Sequence, residues 1–286
     1  MNDKGVLYIV ATPIGNLDDI SFRAISILKA VHVVAAEDTR HSLRLFNHFG
    51  IDTKLIAYHD HSSDKQVERL LRHLDEGSDI ALVSDAGTPL ISDPGYRIVK
   101  IAREQGVKVV PVPGPSAPIV ALSAAGLATD RFSFEGFLPH KSGARIKSFE
   151  AIKANAGTSV FFESPHRIAD AITDAVAVLG AERSAVMARE LTKTFETFIG
   201  PDLQHIQQAI ADDANQSRGE IVLLIGPLPT APNGENVSVS ADALKVATVL
   251  AAELPTKQAA ALASNITGES KKKLYELILT IKAEAK

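Results

Sequence analysis

The feature that most constrains this chain is a regular alternation in its first half, where short apolar β-rich runs are separated by longer amphipathic segments. Val6–Ala11, Val31–Ala36, Lys54–Tyr58, Ile80–Ser84 and Val107–Val112 read as strands. Between them, Ser21–Ala30, His41–Phe49, Asp64–Glu76, Tyr96–Gln105 and Pro115–Ala125 have the spacing of helices with one apolar face. Gly50, Gly77 and Gly106 each fall just past a helix and before a strand, where a left-handed helix end favours glycine. Several strands are continuous apolar runs, as in a parallel sheet covered on both faces. The expected class is α/β with short connections.

After Gly126 the rhythm changes. Arg131–Phe137 reads as a strand and Lys141–Lys147 as a basic loop. A second α/β set follows through Ser159–Phe162, Ile168–Leu179, Ser184–Arg189, Leu203–Ala211 and Ile221–Ile225. Three prolines and an Asn-Gly-Glu-Asn centre mark Pro227–Val239 as a linker. The expected organisation is an N-terminal α/β domain (1–128), a second α/β domain (129–227) and a small helical extension (240–286). Within the tail, Lys257–Ile266 and Glu269–Ile281 read as helices joined by Thr267-Gly268, the length and turn chemistry of a helix-turn-helix. Ala259, Leu262, Ala263 and Ile266 would bury one face, and Leu274, Leu277, Ile278 and Ile281 the other.

Composition narrows the chemistry. The 286 residues contain no cysteine, which excludes disulfides, thiolate metal sites and a cysteine nucleophile. No apolar run approaches the ~20 residues of a membrane helix, and no signal-peptide pattern opens the chain, so a soluble cytoplasmic protein is expected. The net charge of −4 argues against gripping nucleic acid over the whole surface. The charge is uneven, however. Residues 256–286 hold six lysines against three glutamates, so the tail carries +3 and the remainder −7.

In an open parallel sheet, ligands bind beyond the carboxyl ends of the strands. Four of the five strand ends are dense in Gly, Pro, Asp, Ser and Thr: Ala11-Thr12-Pro13-Ile14-Gly15-Asn16-Leu17, Glu37-Asp38-Thr39-Arg40, Ser84–Gly95 and Pro113-Gly114-Pro115-Ser116-Ala117. Any one of these is ordinary turn and capping chemistry. All four on one sheet edge point to a shared ligand. No G-x-G-x-x-G follows the first strand and no G-x-x-x-x-G-K-[ST] occurs, which disfavours a dinucleotide enzyme and an NTPase. His59-Asp60-His61 has the look of a metal pair, but alternate residues in a loop are more often solvated polar groups, so no metal is expected.

These loops resemble the ribosomal small subunit methyltransferase I family of the tetrapyrrole methylase superfamily (class III methyltransferases). The matching motifs are Thr12–Leu17 with Asp19-Ile20, Ala36–Arg40, Ser84–Gly95 and Pro113–Ala117. Glu163-Ser164-Pro165-His166-Arg167, Ala188–Lys193 and Arg218-Gly219-Glu220 continue the likeness over essentially the whole chain. The resemblance implies S-adenosylmethionine bound between two α/β domains of a homodimer. The implied reaction is methyl transfer to the ribose 2′-hydroxyl of a cytidine in the decoding region of 16S rRNA. By family position the methyl donor touches Ile14, Asp85, Thr88, Ser116 and Ala117, with Phe162 and Leu191 closing the site. The implied partner is 16S rRNA or the 30S subunit, with neither DNA nor a membrane involved.

A ribose hydroxyl is a poor nucleophile and a nearby base would help it. Asp38 and Glu163 are the candidate bases, and the competing reading is that they cap helices or pair with Arg40 and Arg167. Arg40, Lys141, Arg145, Lys147, Arg167 and Lys193 would meet RNA around the cleft, and Lys271, Lys272 and Lys273 from the tail. The tail's other reading is a helical cap that completes the fold or dimer. Two other functions fit the same motifs less well: a methylase of a tetrapyrrole or protein side chain, and a non-catalytic RNA-binding assembly factor.

Overall fold

The computed structural model describes residues 4–59, 64–228, 239 and 241–284. The first ten elements are β1 (Val6–Val10), α1 (Phe22–Ala30), β2 (Val33–Ala36), α2 (Thr39–Phe49), β3 (Leu55–Ala57), α3 (Asp64–Asp75), β4 (Ile80–Val83), α4 (Tyr96–Glu104), β5 (Lys108–Val112) and α5 (Ala117–Ala124). The strands form an all-parallel sheet in the order β3-β2-β4-β1-β5. Both faces are covered, as continuous apolar strands require. Ala24, Leu28, Leu45 and Phe46 of α1 and α2 pack on one face, and Leu70, Leu74, Ile98 and Ala102 of α3 and α4 on the other. The expected left-handed glycines are there: Gly50, Gly77 and Gly106 have φ of 59°, 85° and 74°.

From β1 the chain crosses to β2 on one side, and from β4 it crosses to β5 on the other. The neighbouring strands β1 and β4 therefore send their following loops apart, which opens a crevice at the carboxyl edge of the sheet.

The second half adds β6 (Phe132–Phe137), α6 (Ser142–Ile152), β7 (Thr158–Glu163), α7 (Ile168–Leu179), β8 (Ala185–Arg189), β9 (Thr197–Ile199), α8 (Leu203–Asp212) and β10 (Ile221–Ile225). Its sheet is mixed, in the order β6-β7-β10-β8-β9, with only β6 and β7 parallel. Side chains alternate across it with period two. Phe161, Met187, Ile221, Leu223 and Ile225 face the core shared with α6, α7 and α8. Val160, Val186, Val222 and Leu224 face the other way, onto Ala121 and Leu122 of α5. Helix α5 thus belongs to the first half by sequence and to the second sheet by packing. The boundary expected near residue 128 falls between α5 and β6, yet both sheets lie in one compact unit, Met1–Pro227.

One local expectation needs correction. The basic stretch read as a loop, Lys141–Lys147, is the start of α6, despite the helix-weakening Gly143. The three-residue strand β9 carries too little pattern to be read from sequence.

Leu228–Lys286 form a second unit. It contains α9 (Ala241–Glu253), α10 (Thr256–Thr267) and α11 (Lys271–Glu284). Its core is built on alanine: Ala243, Ala247, Ala251, Ala259, Ala260 and Ala263, with Leu274 and Ile278. Small side chains let the helices approach closely, and the Lys282 ammonium crosses to donate to the Leu254 carbonyl at 2.6 Å. Gly268 ends α10 with φ 74°. Of the expected buried set, Leu262 and Ile266 are exposed, and Ala260 takes their place. Most of the linker, residues 229–238, lies outside the described residues.

Leu223 is fully buried at the centre of the second sheet. Leu223→Ala is expected to lower unfolding free energy by about 2–5 kcal/mol through lost transfer energy and the cavity left behind. Urea denaturation checks this, and a loss under 1 kcal/mol would contradict the packing described.

Candidate active site

The loops at the carboxyl edge are tied together by a few hydrogen bonds. The Thr12 amide donates to the Gly87 carbonyl at 2.9 Å, and the Gly87 amide returns a bond to Thr12 at 3.0 Å. This joins the loops after β1 and β4. Gly87 has φ 79°, and a Cβ there would stand 3.3 Å from Ile14 Cγ2. The Asp38 amide donates to Asp85 Oδ1 at 3.0 Å, joining the loops after β2 and β4. The Thr88 hydroxyl donates to the Pro115 carbonyl at 2.9 Å, joining the loops after β4 and β5. One turn, residues 84–95, therefore organises all the others.

The second sheet contributes the opposite wall. Loop 190–193 packs against the first loop so closely that a Cβ on Gly15 would lie 2.6 Å from Lys193 Cγ and 3.0 Å from the Leu191 carbonyl oxygen. Glu190 is held by the Glu220 amide at 2.9 Å and the Lys193 ammonium at 2.9 Å, and Lys193 also reaches Glu220 at 3.2 Å. Gly219, at φ 86°, leaves the space that the Glu190 carboxylate fills.

Between these walls lies a cavity of about 390 Å³. Ile14, Asp85, Thr88, Ser116, Ala117, Phe162 and Leu191 all line it, so the structure gathers at one place all seven residues expected at a methyl donor. Ile14, Phe162, Leu191 and Val222 supply apolar surface. Asp85 supplies a carboxylate with one oxygen already anchored. The amino end of α5 points its first amides there, and Ser116 makes no side-chain cap. Sequence reasoning missed Glu220, Val222 and Phe137 as lining residues. The first two lie at or after the Arg218-Gly219-Glu220 motif, so the motif was a usable signal for them.

The two candidate bases separate. Asp38 does not line the cavity. It caps α2, accepting from the Arg40 amide at 2.8 Å, and pairs with the Arg40 guanidinium at 2.8 Å. The side-chain and backbone bonds from Arg40 hold its carboxyl down at about 2. A carboxylate so placed has no role as a base in the cavity, and Asp38 is withdrawn from that role. Glu163 does line the cavity. Its buried carboxylate accepts from the Ser164 amide and the Arg167 guanidinium through Oε1, while Oε2 is buried with no hydrogen-bond partner among the described residues.

The expected cations are also sorted. Arg145 is 4% exposed, with Nε on Asp174 at 2.8 Å and Nη1 on the His140 carbonyl at 2.9 Å. It is a buried clamp between α6 and α7, and it cannot meet a phosphate. Arg167 is committed to Glu163 and reaches His140 Nδ1 at 2.8 Å. Lys193 is committed to Glu190 and Glu220, and Arg40 to Asp38. Lys141 and Lys147 are exposed, and so are Lys271, Lys272 and Lys273 in the first turn of α11. Asp60 and His61 lie outside the described residues. Among those described, no group of three His, Cys, Asp or Glu side chains suits a metal, and no helix is long and apolar enough to cross a membrane.

Comparison with known proteins accounts for this arrangement. The tetrapyrrole (corrin/porphyrin) methylase family matches residues 6–207, and the RsmI C-terminal HTH domain matches residues 237–282. Uroporphyrin-III C-methyltransferase from Thermus thermophilus shares the fold at a TM-score of 0.54, with 17% identity, covering 79% of this chain and 96% of that one. Diphthine synthase does so at 0.60, with 15% identity, covering 78% and 90%. The chain belongs to the tetrapyrrole methylase family. Within it, the full-length likeness is to proteins called ribosomal RNA small subunit methyltransferase I. That of Pseudomonas aeruginosa is 53% identical, covering 96% of this chain and 97% of the relative. That of Escherichia coli O157:H7 is 51% identical, covering 97% and 96%. The chain is a member of that group.

Glu190 generates a pH prediction. Burial alone would raise its carboxyl, but the Glu220 amide and the Lys193 ammonium outweigh burial and hold it below the ordinary value. A carboxyl depressed by folding contributes fully above its unfolded pKa of about 4.3, and the contribution is lost as pH falls through the lower folded value. Glu190→Gln is expected to cost about 1–3 kcal/mol at pH 7 and progressively less in acid. A difference between the two proteins that does not change from pH 7 to pH 3 in urea denaturation would contradict this.

Proposed function

We propose that this chain transfers a methyl group from S-adenosylmethionine to the ribose 2′-hydroxyl of a cytidine in the decoding region of 16S rRNA. The observation that carries the reading is the single cavity gathering all seven expected donor-binding residues, in a chain 53% identical over its length to a protein called ribosomal RNA small subunit methyltransferase I. The reading includes a homodimer acting in the cytoplasm, on naked 16S rRNA or on the 30S subunit.

The residues fit such a cofactor. Its ammonium, sulfonium and hydroxyl groups need carboxylate acceptors, and its carboxylate needs amide donors. Asp85 has an oxygen to spare, and the amino end of α5 offers amides at Ser116 and Ala117. When bound, the cofactor supplies a methyl group made electrophilic by its sulfonium. The chain's task is then alignment and proton handling.

Ile14, Phe162 and Leu191 exclude water from the reacting atoms. Glu163 accepts the hydrogen bond of the ribose hydroxyl at Oε2 and takes its proton as the new carbon–oxygen bond forms. The Arg167 guanidinium fixes the carboxylate through Oε1 and leaves Oε2 turned to the cavity. With no cysteine in the chain, methyl transfer is direct, without a thiol intermediate.

RNA phosphates are held by the cations that remain free. Lys141 stands at the amino end of α6, which carries no acidic residue in its first turn, so dipole and ammonium both favour an anion. Lys271, Lys272 and Lys273 occupy the first turn of α11, where the helix dipole disfavours positive charge and a phosphate would relieve it. Arg40, Arg167 and Lys193 contribute at most the outer part of already paired groups.

Labelled S-adenosylmethionine incubated with 30S subunits, or with naked 16S rRNA, from a strain lacking the modification tests the reading. Label at a cytidine ribose is expected. Tight cofactor binding without transfer to either substrate would overturn it. Glu163→Gln keeps the bond to Arg167 and removes the proton acceptor, so kcat is expected to fall on the order of 100-fold with cofactor affinity little changed.

A further inference from the structure

Strand β6 contains a one-residue irregularity in its register with β7. It pairs with β7 in parallel, Phe134 against Val160, but Gly136 then stands against Phe161 and Phe137 against Phe162. One residue, Glu135, is extra. Gly136 has φ 74°, a conformation open to glycine at little cost.

The consequence follows from the two-residue period of a strand. Phe134 packs with Val160 and Phe162 on the sheet face that turns toward α5 and the cavity. Without the bulge, Phe137 would stand on the opposite face, with Phe161, Phe149 and the helical core. The extra residue returns it to the cavity face, and β-bulges near active sites are known to re-aim side chains in this way.

Phe137 nevertheless does not fill the core. It is 58% exposed while still lining the cavity. Its ring meets Phe162 edge to face at a centroid distance of 5.2 Å and an interplanar angle of 61°. Phe162 is in turn braced by Phe134 at 5.0 Å. The orientation of an exposed aromatic ring is thus set by two others behind it. Three residues on, His140 accepts or shares a hydrogen bond with Arg167 at 2.8 Å, and exposed Lys141 opens α6. An oriented aromatic ring and cationic groups belong to the same short segment.

We propose that Phe137 is a stacking platform for a nucleobase of the RNA substrate, either the target base or its immediate neighbour, swung out of its stack so that the ribose can reach the cavity. This inference rests on the rRNA reading above and adds the residue that presents the nucleotide. A cavity walled on two sides receives a ribose more readily from an unstacked nucleotide than from a stacked helix, and proteins receive splayed-out RNA bases against aromatic side chains. Base–aromatic stacking contributes through any flat π face and tolerates different bases. The platform therefore sets position, leaving base identity to other contacts.

The test is steady-state methylation of 30S subunits and of 16S rRNA by Phe137→Ala, Phe137→Leu, Phe137→Tyr and Phe137→Trp, alongside the unaltered protein. Cofactor affinity is measured by calorimetry and the oligomeric state by light scattering. Phe137→Ala and Phe137→Leu are expected to raise KM for RNA roughly 10-fold or more, with kcat, cofactor Kd and oligomeric state little changed. Tyr and Trp are expected to restore KM to within a few-fold. Leucine replaces apolar bulk without a π face, so rescue by leucine equal to that by tryptophan would overturn the proposal in favour of simple packing. A loss confined to cofactor affinity, or a change in oligomeric state, would overturn it in favour of a cofactor contact or a subunit contact. If the unaltered protein transfers no label to RNA, the rRNA reading itself fails. Normal transfer with KM unmoved in Phe137→Ala removes the platform alone.

Discussion

The paired amide bonds between Thr12 and Gly87 are the constraint on which the site depends. A parallel sheet with strand order β3-β2-β4-β1-β5 opens its crevice between β1 and β4, because the chain leaves those neighbours in opposite directions. Such a crevice binds nothing unless its two rims are held at a fixed distance. The backbone bridge fixes that distance without using a side chain. Asp85 and Thr88 then extend the same turn to the loops after β2 and β5. Those side chains serve twice, since one atom of each holds the scaffold while the residue still faces the cavity.

Left-handed backbone at residues other than glycine is uncommon and costs of order 1–3 kcal/mol each. The described residues contain four: Leu90 and Ser92, within the turn after β4, and Glu190 and Thr192, within the loop that closes the cavity from the second sheet. They fall on the two segments that form opposite walls. The cost at Glu190 is offset by the Glu220 amide and Lys193, which hold its carboxylate in place. Tight contact at Gly15 transmits that placement to the first loop. The walls are held by strain balanced against specific bonds, which suits a site that must present aligned groups before its substrate arrives.

How much of this was readable from sequence depended on whether a residue's partner was near it in the chain. Strand ends, glycine helix stops and dense turn chemistry are local signals, and with the family likeness they located the seven cavity residues. Asp38 stays open in the sequence between cap and base, because a carboxylate before a helix serves equally as either, and only the Arg40 geometry selects the cap. Arg145 looked like a surface cation because its partner, Asp174, lies 29 residues away on another helix. Phe137 could not be assigned from a pattern at all. Its face depends on a one-residue slip relative to β7, and a run of Phe-Ser-Phe-Glu-Gly-Phe does not reveal where the slip occurs.

Charge pairing also changes what the acidic composition means. A net −4 suggested that nucleic acid would meet only local basic groups. The structure narrows these further, since Arg40, Arg145, Arg167 and Lys193 are each held by a carboxylate of their own. Cations paired in this way hold local structure, and counterion release depends on charges free to neutralise phosphate. Of the cations singled out in the sequence, those left exposed and unpaired include Lys141 and Lys271–Lys273 at the amino ends of α6 and α11, positions where the helix dipole makes an ammonium group uncomfortable until an anion arrives. At the cavity mouth, by contrast, the exposed group is an aromatic ring, Phe137, which the bulge in β6 turns outward.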